Sequence, residues 1–145
     1  RVKLEDVREL KKYNIGREDY RKEEIFESYT GILSADVVLK ELYKSGNIKR
    51  AFLAANYLNE MKVALDESIR VLRPDGYMVI VIGNNTICKQ QFDTQDYLTT
   101  YLVGKGMQLQ YKLIDDIKSY GLMTKRNKTA DTISREWILV FKKWR

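Results

Sequence analysis

Residues 58–85, LNEMKVALDESIRVLRPDGYMVIVIGNN, hold the pattern on which the fold turns. Met61, Leu65, Ile69 and Leu72 recur three or four positions apart, the spacing of one buried stripe on a helix. Phe52, Ala55 and Leu58 carry the stripe backwards, so a long helix is predicted from a cap at Asn47 to Leu72, its stripe serving as core. Pro74, the only proline of the chain, ends that helix, because it has no N–H and pushes Arg73 out of the α region. Gly76 is expected to supply the positive φ of a tight return. The apolar run Met78–Ile82 then suits a strand buried on both faces, as in a parallel sheet covered by helices. Where it turns polar, at Gly83-Asn84-Asn85, lies the carboxyl end of a strand, the place where open α/β sheets bind ligands.

Working outward, Leu4, Val7, Leu10 and Lys11 fit a short first helix that Asn14-Ile15-Gly16 would end. Residues 17–30 are charged and aromatic with little periodicity, and read as an exposed loop or short helix. Ser34 is the expected N-cap of a helix with Val37, Val38, Leu42 and Tyr43 inward, closed by Ser45-Gly46. After the central strand, Asn84 to Phe92 read as a polar loop. Asp93-Thr94 cap a helix over 95–105 with Tyr97, Leu98, Tyr101 and Leu102 on one side, and Gly106 ends it. Strands are predicted over Met107–Ile114 and Trp137–Phe141, joined by a long polar connection. The 145 residues fit one domain, with 1–50 a helical region beside the sheet strands of 51–145.

Composition narrows the chemistry. Histidine is absent and Cys88 stands alone, so no serine-histidine or cysteine-histidine mechanism, internal disulfide or cysteine metal cluster is expected. No apolar run approaches the roughly 20 residues of a membrane span, and no cationic stretch followed by an apolar core opens the chain. A soluble, cytoplasmic protein is the expectation. The net charge of +6, from 26 Lys and Arg against 20 Asp and Glu, is compatible with nucleic acid as a partner.

The unit of helix, Arg73-Pro74-Asp75-Gly76 turn and apolar strand resembles the fifth-strand region of class I S-adenosylmethionine-dependent methyltransferases. Glu136-Trp137-Ile138-Leu139-Val140-Phe141-Lys142-Lys143 looks like the last strand of the same fold, and Tyr13-Asn14-Ile15-Gly16 is similar to a segment found downstream of the catalytic motif. The match is best over 55–143 and points to the C-terminal part of an amino-methylating DNA methyltransferase of the adenine N6 or cytosine N4 type. The fold it implies is α/β: a partial Rossmann-like sheet with flanking helices, whose terminal strands pair antiparallel. S-adenosylmethionine is the cofactor of the parent enzyme. Two family features are missing: no Gly-rich loop follows a first strand, and with one proline there is no Pro-Pro catalytic motif. Catalytic, cofactor-binding and metal residues are therefore expected to be none in this chain. The start at Arg1 rather than Met suggests an excised piece, with the missing N-terminal half or a partner chain completing the sheet.

Two sets of site residues follow. Gly83, Asn84, Asn85 and Thr86 would border a target-base pocket, the amides donating and accepting hydrogen bonds; a simple turn explains the same residues. Lys125, Arg126, Asn127 and Lys128 form a compact basic tract able to meet a phosphate backbone, or a solvated hairpin tip. Tyr111, Tyr120 and Trp137 are aromatic residues that would stack on a base or pack in the core. The chain alone is expected to be inactive, and an exposed strand edge predicts a homodimer or another partner. The rival reading is a non-catalytic nucleic-acid-binding or interaction subunit on the same half-fold, or part of an RNA methyltransferase.

Overall fold

The structure, a computed structural model, describes residues 9–118 and 133–144. They form a mixed α/β protein with helices α1 (Leu33–Lys44), α2 (Ile48–Val71) and α3 (Thr94–Gly104). The strands are β1 (Tyr77–Gly83), β2 (Asn85–Ile87), β3 (Gln90–Phe92), β4 (Met107–Asp116) and β5 (Arg135–Lys143). Two compact units divide the chain, residues 1–63 and 64–145, the boundary falling inside α2. Among the described residues no helix is long and apolar enough to cross a membrane.

In the first unit Ala35, Leu39, Leu42 and Tyr43 of α1 are buried with Ala51, Phe52, Ala55 and Leu58 of α2. Val37, expected inside, is 64% exposed, because the buried stripe runs through Ala35 and Leu39 instead. Ser34 is not the cap. α1 begins at Leu33, and the carboxylate of Asp36 accepts hydrogen bonds from the backbone of Thr30 and Gly31 and from the Thr30 hydroxyl. These bonds fasten the segment before α1 onto its first turn, and the helix has no side-chain N-cap among the described residues. Residues 17–30 hold a short 3-10 turn at Lys22–Glu24 and are otherwise irregular, yet they are anchored. Tyr20 and Phe26 both pack on Phe52, and the Glu60 carboxylate accepts from the backbone of Gly16 and from Asn56.

The second unit follows from the quoted stretch. The turn after α2 places the positive φ on Asp75 (57°), and Gly76 is needed for space: a Cβ there would lie 2.8 Å from the Arg73 carbonyl oxygen and 2.9 Å from Leu72 Cδ1. Lys143 Nζ caps the end of the helix by donating to the carbonyls of Ile69 and Leu72, each at 2.7 Å. The main sheet has the order β1-β5-β4, and β5 is antiparallel to both neighbours. A one-residue bulge at Gln110 separates the two paired parts of β4.

One face of this sheet carries Leu139 and Phe141, both fully buried, and α3 lies on that face, with Lys112 of β4 paired to Asp96 at 3.0 Å. The other face has no helix of this unit over it among the described residues. Val79 and Val81 are each 59% exposed, which overturns the expectation of a strand buried on both sides. The reason is the layering: within this unit the helical cover found among the described residues lies on one face, as antiparallel sheets allow. Asn84–Phe92 is not a loop, since β2 and β3 pair as a hairpin through Cys88 and Lys89, at φ 50° and 69°. Gly104-Lys105-Gly106 closes α3 ahead of β4.

Candidate functional site

At the carboxyl end of β1 the chain opens into a cleft of about 180 Å³ lined by Asn84, Thr86, Gln91, Ile133, Ser134, Arg135 and Trp137. Three pieces of backbone converge there. β1 ends at Gly83, the β2–β3 hairpin turns out from it, and β5 begins alongside, with Gly83 paired to Glu136 and Ile82 to Trp137. Ile133 leans over Gly83 so closely that a Cβ at that position would lie 2.7 Å from Ile133 Cγ2, which explains the glycine at the strand end.

Asn84 is tied into the frame. Its Nδ2 donates to Asp93 Oδ1 at 2.8 Å, and its Oδ1 accepts from the backbone N–H of Gln95 at 3.1 Å. Gln91 Nε2 donates to the same Asp93 oxygen at 3.1 Å. The end of β1, the hairpin and the first turn of α3 are thereby held as one corner. Thr86 sits opposite Gln91 across the hairpin. Arg135 is held by Asp116, Nε to Oδ1 at 2.6 Å. Gln95 itself is 3% exposed, and its Oε1 has no hydrogen-bond partner among the described residues.

The sequence-predicted pocket residues therefore divide. Asn84 and Thr86 line the cleft, Gly83 lies beneath Ile133, and Asn85 is exposed at the start of β2. Trp137 lines the cleft as well, while Tyr111 stands on the open face of the sheet, 62% exposed. Lys125, Arg126, Asn127 and Lys128, with Tyr120, lie outside the described residues. Sequence reading missed Gln91, Ile133, Ser134 and Arg135. Gln91 falls in a segment that reads as a loop, because its hairpin turn, Cys88-Lys89, carries no glycine to signal it. The other three reach the cleft only because β5 pairs with β1, which no local pattern announces.

Chemically the lining is suited to holding a polar, planar group. It offers two amides, two hydroxyls, an indole and one guanidinium. Among the described lining residues Arg135 is the one ionisable group, and none of them is a carboxylate or imidazole. No group of three or more His, Cys, Asp or Glu able to hold a metal ion occurs among the described residues. No protein-family model, curated protein or solved structure matches this chain.

Proposed function

We propose that this chain is the C-terminal part of an S-adenosylmethionine-dependent DNA methyltransferase acting on an exocyclic amine of adenine or cytosine. The observation that carries the reading is the strand order β1-β5-β4. β1 and β4 are both antiparallel to β5, and so run parallel to one another. The resemblance to class I methyltransferases implies terminal strands that pair antiparallel, and β5 pairs in that way with the strand that follows the Arg73–Gly76 turn. The helix α2, the Arg73–Gly76 turn and β1 supply that preceding unit.

In this reading the cleft forms one wall of the pocket that receives a base taken out of the stack. Thr86 and Ser134 present hydrogen-bonding groups to a base edge, Trp137 offers a stacking surface, and Asn84 and Gln91 hold the frame through Asp93. The basic tract Lys125–Lys128 contacts phosphate. The cofactor loop and the Pro-Pro motif come from a preceding segment or a partner chain, and the chain alone is inactive. The lack of both motifs from all 145 residues favours one second reading, a non-catalytic nucleic-acid-binding subunit, with RNA as an equally suitable partner.

The test is calorimetric titration with S-adenosylmethionine of this chain alone, and of the chain mixed with the polypeptide encoded immediately upstream. Methyl transfer from labelled cofactor to unmethylated DNA is measured in the mixture. Binding and transfer in the mixture only are the expected result. Tight binding by the chain alone overturns the placement of the cofactor site. Silence in both, with DNA or RNA still bound, moves the protein to the second reading.

A further inference from the structure

The alternation of β5 decides which of its side chains share the cleft. Arg135, Trp137, Leu139 and Phe141 fall on one face of the sheet, the face where Leu139 and Phe141 are fully buried. Lys112, the register partner of Leu139, pairs with Asp96 in the first turn of α3. α3 therefore starts over the Leu139 row. Two rows lie past its first turn, Ile82-Trp137-Ile114 and then Arg135-Asp116, and their β5 members both line the cleft. Arg135 donates through Nε to Asp116 Oδ1 at 2.6 Å, and its guanidinium has no second partner among the described residues. Pairing through Nε leaves the two Nη groups, a planar fork of donors, for a ligand.

We infer that the cleft takes one nucleotide as a unit, with the Arg135 Nη groups on its phosphate and its base against Trp137. This rests on the reading of the cleft as a base pocket, and it names Arg135 as the residue that selects a nucleotide over a bare base. Side chains two apart on one strand face stand about 7 Å apart. The base and the 5′-phosphate of a single nucleotide are separated by a distance of the same order. A guanidinium fork matches two phosphate oxygens, which an ammonium does not. Trp137 is seated between its cross-strand neighbours Ile82 and Ile114, so its ring is a fixed surface. The volume of about 180 Å³ is below the roughly 300–1,000 Å³ of sites that enclose a drug-sized ligand. A ring and one phosphate enter, and the sugar between them faces outward, where a strand continues. Asp116 fixes the direction of the guanidinium and offsets part of its charge. A single nucleotide is therefore expected to bind in about the millimolar range.

The experiment titrates the isotope-labelled full chain with deoxyadenosine and deoxycytidine 5′-monophosphates, with the two nucleosides, and with inorganic phosphate. Binding is read from the Trp137 indole N–H resonance, assigned with Trp144→Phe, and from the backbone resonances of Thr86 and Ser134. The monophosphates are expected to bind about tenfold more tightly than the nucleosides at low salt, the preference shrinking as salt rises. Arg135→Gln should abolish that preference and leave nucleoside affinity unchanged. Trp137→Leu should weaken monophosphate and nucleoside alike. Circular dichroism confirms that both variants fold; if Arg135→Gln does not, the salt dependence of the wild-type preference carries the same test. Equal affinity for nucleotide and nucleoside overturns the role of Arg135 and leaves the base-pocket reading standing. Inorganic phosphate binding as tightly as the monophosphates, with the nucleosides silent, overturns the seat of the base on Trp137. No response to any of these probes overturns the whole inference, and methyl transfer in the mixture with the upstream polypeptide would still uphold the proposed function. A phosphate preference lost in Arg135→Gln, without cofactor binding or transfer in that mixture, upholds the inference and removes the methyltransferase reading.

Discussion

Asn84 Nδ2 donates to Asp93 Oδ1 at 2.8 Å, and this single contact joins the end of β1 to the residue that precedes α3. With the other half of the amide on the Gln95 N–H, Asn84 spends both of its polar atoms on the frame of the cleft. A residue so engaged orients the site; the groups left to meet a ligand are those of Thr86, Ser134, Arg135 and Trp137.

Replacement of Asn84 is therefore expected to act on stability. Asn84→Ala removes the acceptor of a backbone N–H on a residue that is 3% exposed, a loss of about 1–3 kcal/mol. Asn84→Asp keeps an acceptor but sets a second carboxylate against Asp93, and should be at least as destabilising at neutral pH. Urea denaturation monitored by circular dichroism measures both. Unchanged midpoints would mean that Asn84 is free to serve a ligand.

The β2–β3 hairpin carries a cost in its backbone. Cys88 and Lys89 occupy the two turn positions, both at positive φ, where Asn-Gly is the preferred pair. Cys88→Asn combined with Lys89→Gly should raise the stability by about 1 kcal/mol or more, by relieving left-handed strain at residues with a Cβ. Thermal unfolding of the double variant against the parent checks it, and a lower melting temperature would show that the turn side chains contribute contacts outweighing the strain.

Alkaline pH should unfold the protein. Burial raises the phenols of Tyr43, Tyr57 and Tyr97 above the ordinary tyrosine value. Lys105 and Lys142 are raised as well, first through their contacts with Asp66 and Asp75. In every case the folded state holds its proton more tightly than the unfolded chain. The stability this confers is fully present below the unfolded values near pH 10 and is lost as pH rises through the folded ones. Absorbance at 295 nm and circular dichroism, followed together, should show the ionisation of these buried phenols coinciding with loss of helix. Their ionisation with secondary structure intact would contradict the burial.

Much of the fold can be traced to short-range pattern. The stripe from Phe52 to Leu72, the proline stop and the apolar run predict α2, the turn and β1 within a residue or two, because helix period and proline geometry are local properties. The inward face of α3 through Tyr97, Leu98 and Leu102 was equally readable. Local pattern failed at two turns: Asp36, not Ser34, ties the segment before α1 to its first turn, and Asp75 takes the positive φ expected of Gly76. It failed also in the hairpin at Cys88-Lys89, whose turn lacks the glycine that signals one.

The cleft and the open face belong to the tertiary structure. Asn84 and Thr86 could be chosen from sequence because they follow an apolar strand, but Ile133, Ser134 and Arg135 join them only through the antiparallel pairing of β1 with β5, some fifty residues apart. The sequence by itself determined α2, α3, β1, β4 and β5 as segments and that Met78–Ile82 is apolar on both sides. Whether both sides are buried was decided by where α3 came to rest, since a strand's alternation states what its faces can bury and says nothing of what arrives to cover them.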